Sequence, residues 1–132
     1  MPLIPVSVVS SEARPLWQAG QPTPRAARRL CDAAALATAA AFAVPVGELH
    51  AATRRSSYVA FARQSEMYLS HVAFGVKLST VGEAFGRDRS TAAYACRLVE
   101  DRRDDPAVDQ VLASLESACR ALRRRLTGPV AS

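Results

Sequence analysis

Residues 78–97 read LSTVGEAFGRDRSTAAYACR, and this stretch decides the fold. Val81 and Phe85 lie one helical turn apart and predict the core-facing edge of a first helix. Gly82 is small where two helices must cross closely. Gly86 stands at the turn, where a positive φ costs nothing without a Cβ. Ala92 and Ala95 follow at helical spacing and face back toward the first helix. The pattern is that of a helix-turn-helix. Asp88 or Ser90 can cap the second helix. Its leading residues, Arg87, Asp88, Arg89, Ser90 and Thr91, are short or forked hydrogen-bonders suited to base edges and phosphates. An αα-hairpin in an ordinary bundle shares the apolar spacing, but the basic turn favours a nucleic-acid role.

Helices are predicted on both sides of this unit. Residues 25–43, RAARRLCDAAALATAAAFA, contain no glycine or proline, and Val44-Pro45 ends the run. Leu30, Ala34, Ala37 and Ala41 are expected to form a close-packing stripe. Arg25, Arg28 and Arg29 crowd the first turn, where the helix dipole disfavours cations. Residues 45–57 predict a short helical turn and then a polar loop. Residues 58–74 predict a helix with Tyr58, Phe61, Tyr68 and Val72 near one face, widened by Met67 and Leu69, and Gly75 stops it. Residues 106–126 open with Pro106 at a permitted first-turn site and repeat apolar residues from Val108 to Leu122 at helical spacing. This last helix either closes the domain or offers a dimer or partner face, with Arg123, Arg124 and Arg125 touching DNA or a partner. Residues 1–24 hold five of the eight prolines and read as a flexible arm, with Leu16 and Trp17 as possible anchors for a partner. The expected organisation is arm 1–24, DNA-binding domain 25–126 and tail 127–132.

Composition agrees with packed helices and excludes several functions. The 132 residues are 49% hydrophobic and only 6% aromatic, with 26 alanines. Sixteen of the 17 basic residues are arginine, and the net charge is +5. Arginine's planar fork suits phosphate and guanine. Lys77, the lone lysine, sits between Val76 and Leu78, so no Walker-type nucleotide site is present. Cys31, Cys96 and Cys119 are widely spaced and lack a CxxC, and His50 and His71 have no metal-ligand spacing to them. They predict reduced thiols and neither metal nor cofactor. No nucleophile–base pair or carboxylate dyad appears, so an enzyme is not expected. The apolar N-terminus lacks a basic n-region and is too short to span a bilayer. The expectation is a cytoplasmic, nucleoid-associated protein. Charge is banded: residues 49–98 sum to +4, residues 99–116 to −4, and residues 117–132 add four arginines without an acid. The middle band is the candidate anion-binding face.

The motifs then resemble a known family. From residue 30 to about 104 the chain is similar to the C-terminal DNA-binding domain (domain IV) of the bacterial replication initiator DnaA. Arg54-Arg55 match its basic loop. Arg63-Gln64 and Met67-Tyr68-Leu69 match its Arg-Gln…Met-Tyr-Leu helix. Val81-Gly82, Phe85-Gly86 and Arg87-Asp88-Arg89-Ser90-Thr91-Ala92 follow its Ile-Gly-x-x-Phe-Gly-x-Arg-Asp-His-Thr-Thr-Val motif, one residue shorter before the Arg-Asp. Arg89 stands where the family has a reading histidine, Ser90 at its first threonine, Tyr94 at a later histidine and Ser57 at a second loop arginine. The resemblance implies an all-α, Trp-repressor-like helix-turn-helix bundle without the initiator's ATPase domain. It implies that Arg55 enters the minor groove, Arg63 lies near the backbone, and Asp88, Arg89, Ser90 and Thr91 read the major groove. Arg54, Lys77, Ser79, Arg87 and Arg97 complete the expected DNA-binding set.

The expected function is sequence-specific binding of double-stranded DNA in transcriptional regulation, as in DnaA-like activators of gene-transfer-agent or prophage genes. The alternatives are a modulator of replication initiation competing for initiator boxes, and a helical protein–protein adaptor. RNA polymerase or another DNA-bound regulator would meet the arm or the last helix. No membrane or nucleotide partner is expected.

Overall fold

A computed structural model describes residues 21–50 and 57–127. Among them are six helices and no strand: α1 (Pro24–Phe42), α2 (Val46–Leu49), α3 (Ser57–Val72), α4 (Leu78–Ala84), α5 (Arg89–Arg102) and α6 (Pro106–Thr127). The all-α expectation is met. α1 begins with a capping arrangement, in which Thr23 Oγ1 accepts from the Ala26 N–H at 3.2 Å and Pro24 fills the first helical position. Pro24 therefore belongs to the helix and not to the proline-rich arm. α1 stops at Ala43, in the left-handed region at φ 56°, just before Val44-Pro45.

α3 is the central helix. Nine of its sixteen residues are buried, because α1, α2, α4, α5 and α6 all pack against it. Two expectations need correcting around it. Tyr58 is 55% exposed; it sits at the open start of α3, and its hydroxyl donates to Phe42 O at 2.6 Å. It clamps the last turn of α1 from outside. Ala41 is exposed and Ala37 half-buried, while Cys31, Ala35, Thr38 and Phe42 join Leu30 and Ala34 in the core. The stripe is broader and rotated, because α1 must face both α3 and α6. α3 ends as expected at Gly75, φ 73°, whose N–H donates to His71 O at 3.2 Å.

α6 closes the domain. Leu112, Leu115 and Cys119 are buried against α1 and α3. The corner before it is pinned by Arg103, whose Nε donates to Asp109 Oδ1 at 2.6 Å. Arg103 Nη1 donates to Glu116 Oε2 at 2.7 Å and to the Tyr68 hydroxyl at 3.0 Å. Part of the acidic band thus holds the α5–α6 corner onto α3.

Candidate nucleic-acid interface

α4 and α5 meet over Gly82. A Cβ there would lie 2.7 Å from Arg87 O, 2.8 Å from Asp88 O and 2.9 Å from Asp88 C, all backbone atoms that cannot swing aside. The Arg87 N–H donates to Gly82 O at 2.7 Å, so the turn lies flat on the glycine. Gly86 reverses the chain at φ 70°. Val81, Ala92 and Ala95 are buried, and Phe85 is half-buried with its ring centre 5.9 Å from that of His50. The helix-turn-helix read from the sequence is present residue by residue.

That packing leaves the start of α5 in solvent. Arg87, Asp88, Arg89 and Ser90 are exposed and Thr91 is half-buried. Asp88 is the cap: its Oδ1 accepts from the Thr91 N–H at 2.8 Å and from Ser90 Oγ at 3.1 Å. These bonds, the Thr91 N–H foremost, hold its carboxyl below the usual aspartate range. Arg87 and Arg89 form no ion pair among the described residues. Further along α5, exposed Arg97 sits with its guanidinium 5.8 Å from the centre of the exposed Tyr94 ring. Exposed Lys77 precedes α4, and exposed Ser79 lies in its first turn.

Arg63 also has a structural task. It is half-buried, and its Nε donates to Leu49 O at 2.6 Å and its Nη2 to Glu48 O at 3.3 Å. It fastens the end of α2 to α3. Arg54 and Arg55 lie outside the described residues.

Sequence reasoning missed the pair behind this interface. Glu66 is 3% exposed, and its Oε1 lies 3.0 Å from His50 Nε2. Burial pushes its carboxyl up to about 7, against the opposing pull of His50, Arg63 and Arg87. With Arg28, Arg63 and Arg87 the pair lines a cleft of about 580 Å³ between α1, α3 and the turn. A signal existed: Glu66 is the one acid between Glu48 and Glu83, inside a helix with apolar residues nearly all round. A carboxyl so placed needs a partner.

Burial pushes the Cys96 and Cys119 thiols up to about 11, away from the reactive thiolate. Among the described residues no three His, Cys, Asp or Glu side chains cluster as metal ligands, and no helix is long and apolar enough to cross a membrane.

Comparison with known proteins agrees with this geometry. The family model described as the bacterial dnaA protein helix-turn-helix matches residues 32–99, just over half of the chain. Chromosomal replication initiator protein DnaA 2 of Chlamydia muridarum is 36% identical over 70 residues, and its counterpart from Chlamydia trachomatis is 34% identical over 70. Chromosomal replication initiator protein DnaA of Symbiobacterium thermophilum is 38% identical over 69 residues. The matches cover 51–53% of this chain but 15% of each relative. No solved structure matches.

Proposed function

Because the chain belongs to the bacterial DnaA helix-turn-helix family, whose membership implies DNA binding, we propose that it binds double-stranded DNA sequence-specifically and regulates transcription. The observation that carries this reading is the exposed start of α5, where Arg87, Arg89 and Ser90 project from a turn locked over Gly82. α5 enters the major groove by its first turn. Arg89 reads a base, Asp88 holds the helix end in shape, and Thr91 and Ser90 contact base edges or phosphates. Lys77, Ser79, Arg87 and Arg97 hold phosphates. Arg55, with Arg54 beside it, enters the adjacent minor groove. Arg63 acts from behind, by fixing α2, as much as by its own charge.

Selection from a random duplex pool, followed by genome-wide occupancy and transcript profiling of a deletion strain, tests the reading. Enrichment of one motif upstream of genes whose transcripts change supports it. A pool from which nothing is enriched overturns it. The relatives' printed role as replication initiators favours one second reading, a modulator of initiation. Occupancy confined to initiator-type boxes, with altered replication timing and unaltered transcripts, would select that reading instead.

A further inference from the structure

We propose that the DNA interface does not end at the helix-turn-helix but continues past α4 onto a basic flank, built by the start of α1 and the end of α6, that grips the phosphate backbone beside the recognition site. This rests on the DNA-binding reading above and adds residues that it does not use.

Two arginine groups nearly a hundred residues apart in sequence come together here. The last turns of α1 and the first of α6 share a groove lined by Ala41, Phe42, Ala107 and Val111. The end of α1 meets the start of α6 and the two helices pack against each other, so they run antiparallel. Fourteen residues along each, about 21 Å at 1.5 Å per residue, put Arg28 and Arg125 toward the same far end of the antiparallel pair. The segment 74–77 bridges the two ends. Arg123 Nε donates to Phe74 O at 3.0 Å, and Val76 and Lys77 line one cleft with Pro24, Ala27 and Arg28.

Continuity with the recognition site comes through Arg28. It lines that cleft beside Lys77, and also the cleft that holds Phe85, Gly86 and Arg87. The basic surface therefore passes from the turn, around α4, to the end of α6. Arg25, Arg28, Arg29, Lys77, Arg124 and Arg125 are all exposed, and none has an ion-pair partner among the described residues. Glu83 lines the Lys77 cleft, and exposed Asp32 and buried Glu66 line the cleft beside the turn, so the arginines outnumber the acids along this path without being free of them.

The chemistry of the flank selects a polyanion over a protein. Protein interfaces are anchored by buried aromatic and aliphatic side chains. The large hydrophobics exposed among the described residues are Leu36, Val46, Tyr58, Tyr94 and Val111, and none belongs to the flank. What the flank offers is forked, permanently charged donors, which suit phosphate oxygens. α1 also begins without an acid in its first turn, against its own dipole, a placement that an external anion compensates. Helices pack 8–10 Å apart, so two helices beyond α4 reach roughly 20 Å, about six base pairs at 3.4 Å each.

The test uses the full chain and a duplex motif selected by it from a random pool. The quadruple variant Arg25→Gln/Arg29→Gln/Arg124→Gln/Arg125→Gln removes exposed charge without touching the helix-turn-helix. Each phosphate contact contributes about 0.9 to the slope of log affinity against log salt, and about fivefold in affinity near 0.15 M. If two contacts are lost, the variant should bind about 30-fold more weakly on a duplex extended by about six base pairs on each side, with a slope shallower by about two. It should match the parent on a duplex trimmed to the motif, and should discriminate cognate from random sequence as the parent does. An unchanged slope on the extended duplex, with thermal stability also unchanged, assigns these arginines to solvent or to an acidic protein and overturns the inference. A parent that selects no motif overturns instead the DNA-binding reading beneath it.

Discussion

Glu66 carries the plainest electrostatic consequence in the molecule. Folding moves its carboxyl from the ordinary 4.5 to about 7, with desolvation outweighing the His50 contact. The unfolded chain therefore gives up this proton first as pH rises. The contribution of Glu66 to stability is complete below pH 4.5 and is lost as pH climbs through 7, by an amount on the order of 3 kcal/mol. Glu66→Gln keeps the shape and an acceptor for His50 but cannot ionise. Urea unfolding at pH 5, 6.5 and 8 should show the parent losing stability relative to the variant across that window. Parallel pH curves would mean that the carboxyl titrates normally. Arg89 carries the corresponding consequence for recognition. An exposed, unpaired arginine at the first position of α5 is placed to fork onto guanine O6 and N7. Arg89→Ala should cost about 1–3 kcal/mol on the selected motif and much less on random DNA. Competition against single-base variants should then show one G·C position losing its preference. An equal loss on both duplexes makes Arg89 a phosphate clamp.

Among the helices, the α4–α5 crossing is the least forgiving joint. Gly82→Ala would drive a methyl to within 3 Å of three backbone atoms of the turn, so the turn must shift. Such overpacking costs about 1–3 kcal/mol, and here it also moves Arg87 and the cap of α5. Melting temperature and cognate affinity should fall together. A variant with lowered stability and full affinity would show that the turn's position is not what aims α5. This joint was fully legible in the sequence, because glycine spacing and apolar spacing report the same local geometry twice. The helices were legible for the same reason, since each is bounded by Pro, Gly or a capping side chain. What escaped was anything set by a distant partner. Tyr58 read as core because its spacing fits, yet its position at the open start of α3 leaves it outside. The hold of Arg63 on the Leu49 and Glu48 carbonyls, fourteen and fifteen residues upstream, leaves no periodic trace either. His50 and Glu66 are sixteen residues apart, and no periodicity connects them.

Charge is divided between folding and binding, and salt should separate the two. Among the described residues the arginine–carboxylate pairs gather at and beside the α5–α6 corner, where the Arg103 side chain is 18% exposed and touches Asp109, Glu116 and Tyr68 together. Screening acts weakly on such a partly buried group. Arg87, Arg89 and Lys77 form no ion pair among the described residues, and beyond the pull of Arg87 on the buried Glu66 their charge is left for an external anion. If five to seven phosphates are neutralised, raising salt from 0.05 to 0.2 M should lower cognate affinity by roughly three decades. Over the same range the melting temperature of the free protein should move by no more than about 2 °C, well inside the shift that about 1 kcal/mol would produce. Breaking the corner should invert the pattern. Arg103→Met leaves Asp109 without its cation and Glu116 with Arg120 alone, 3.8 Å away, and it should lower the melting temperature while leaving the salt slope of DNA binding as it was. If Arg103→Met instead flattens that slope, Arg103 is a phosphate contact, and the division of charge between corner and interface fails.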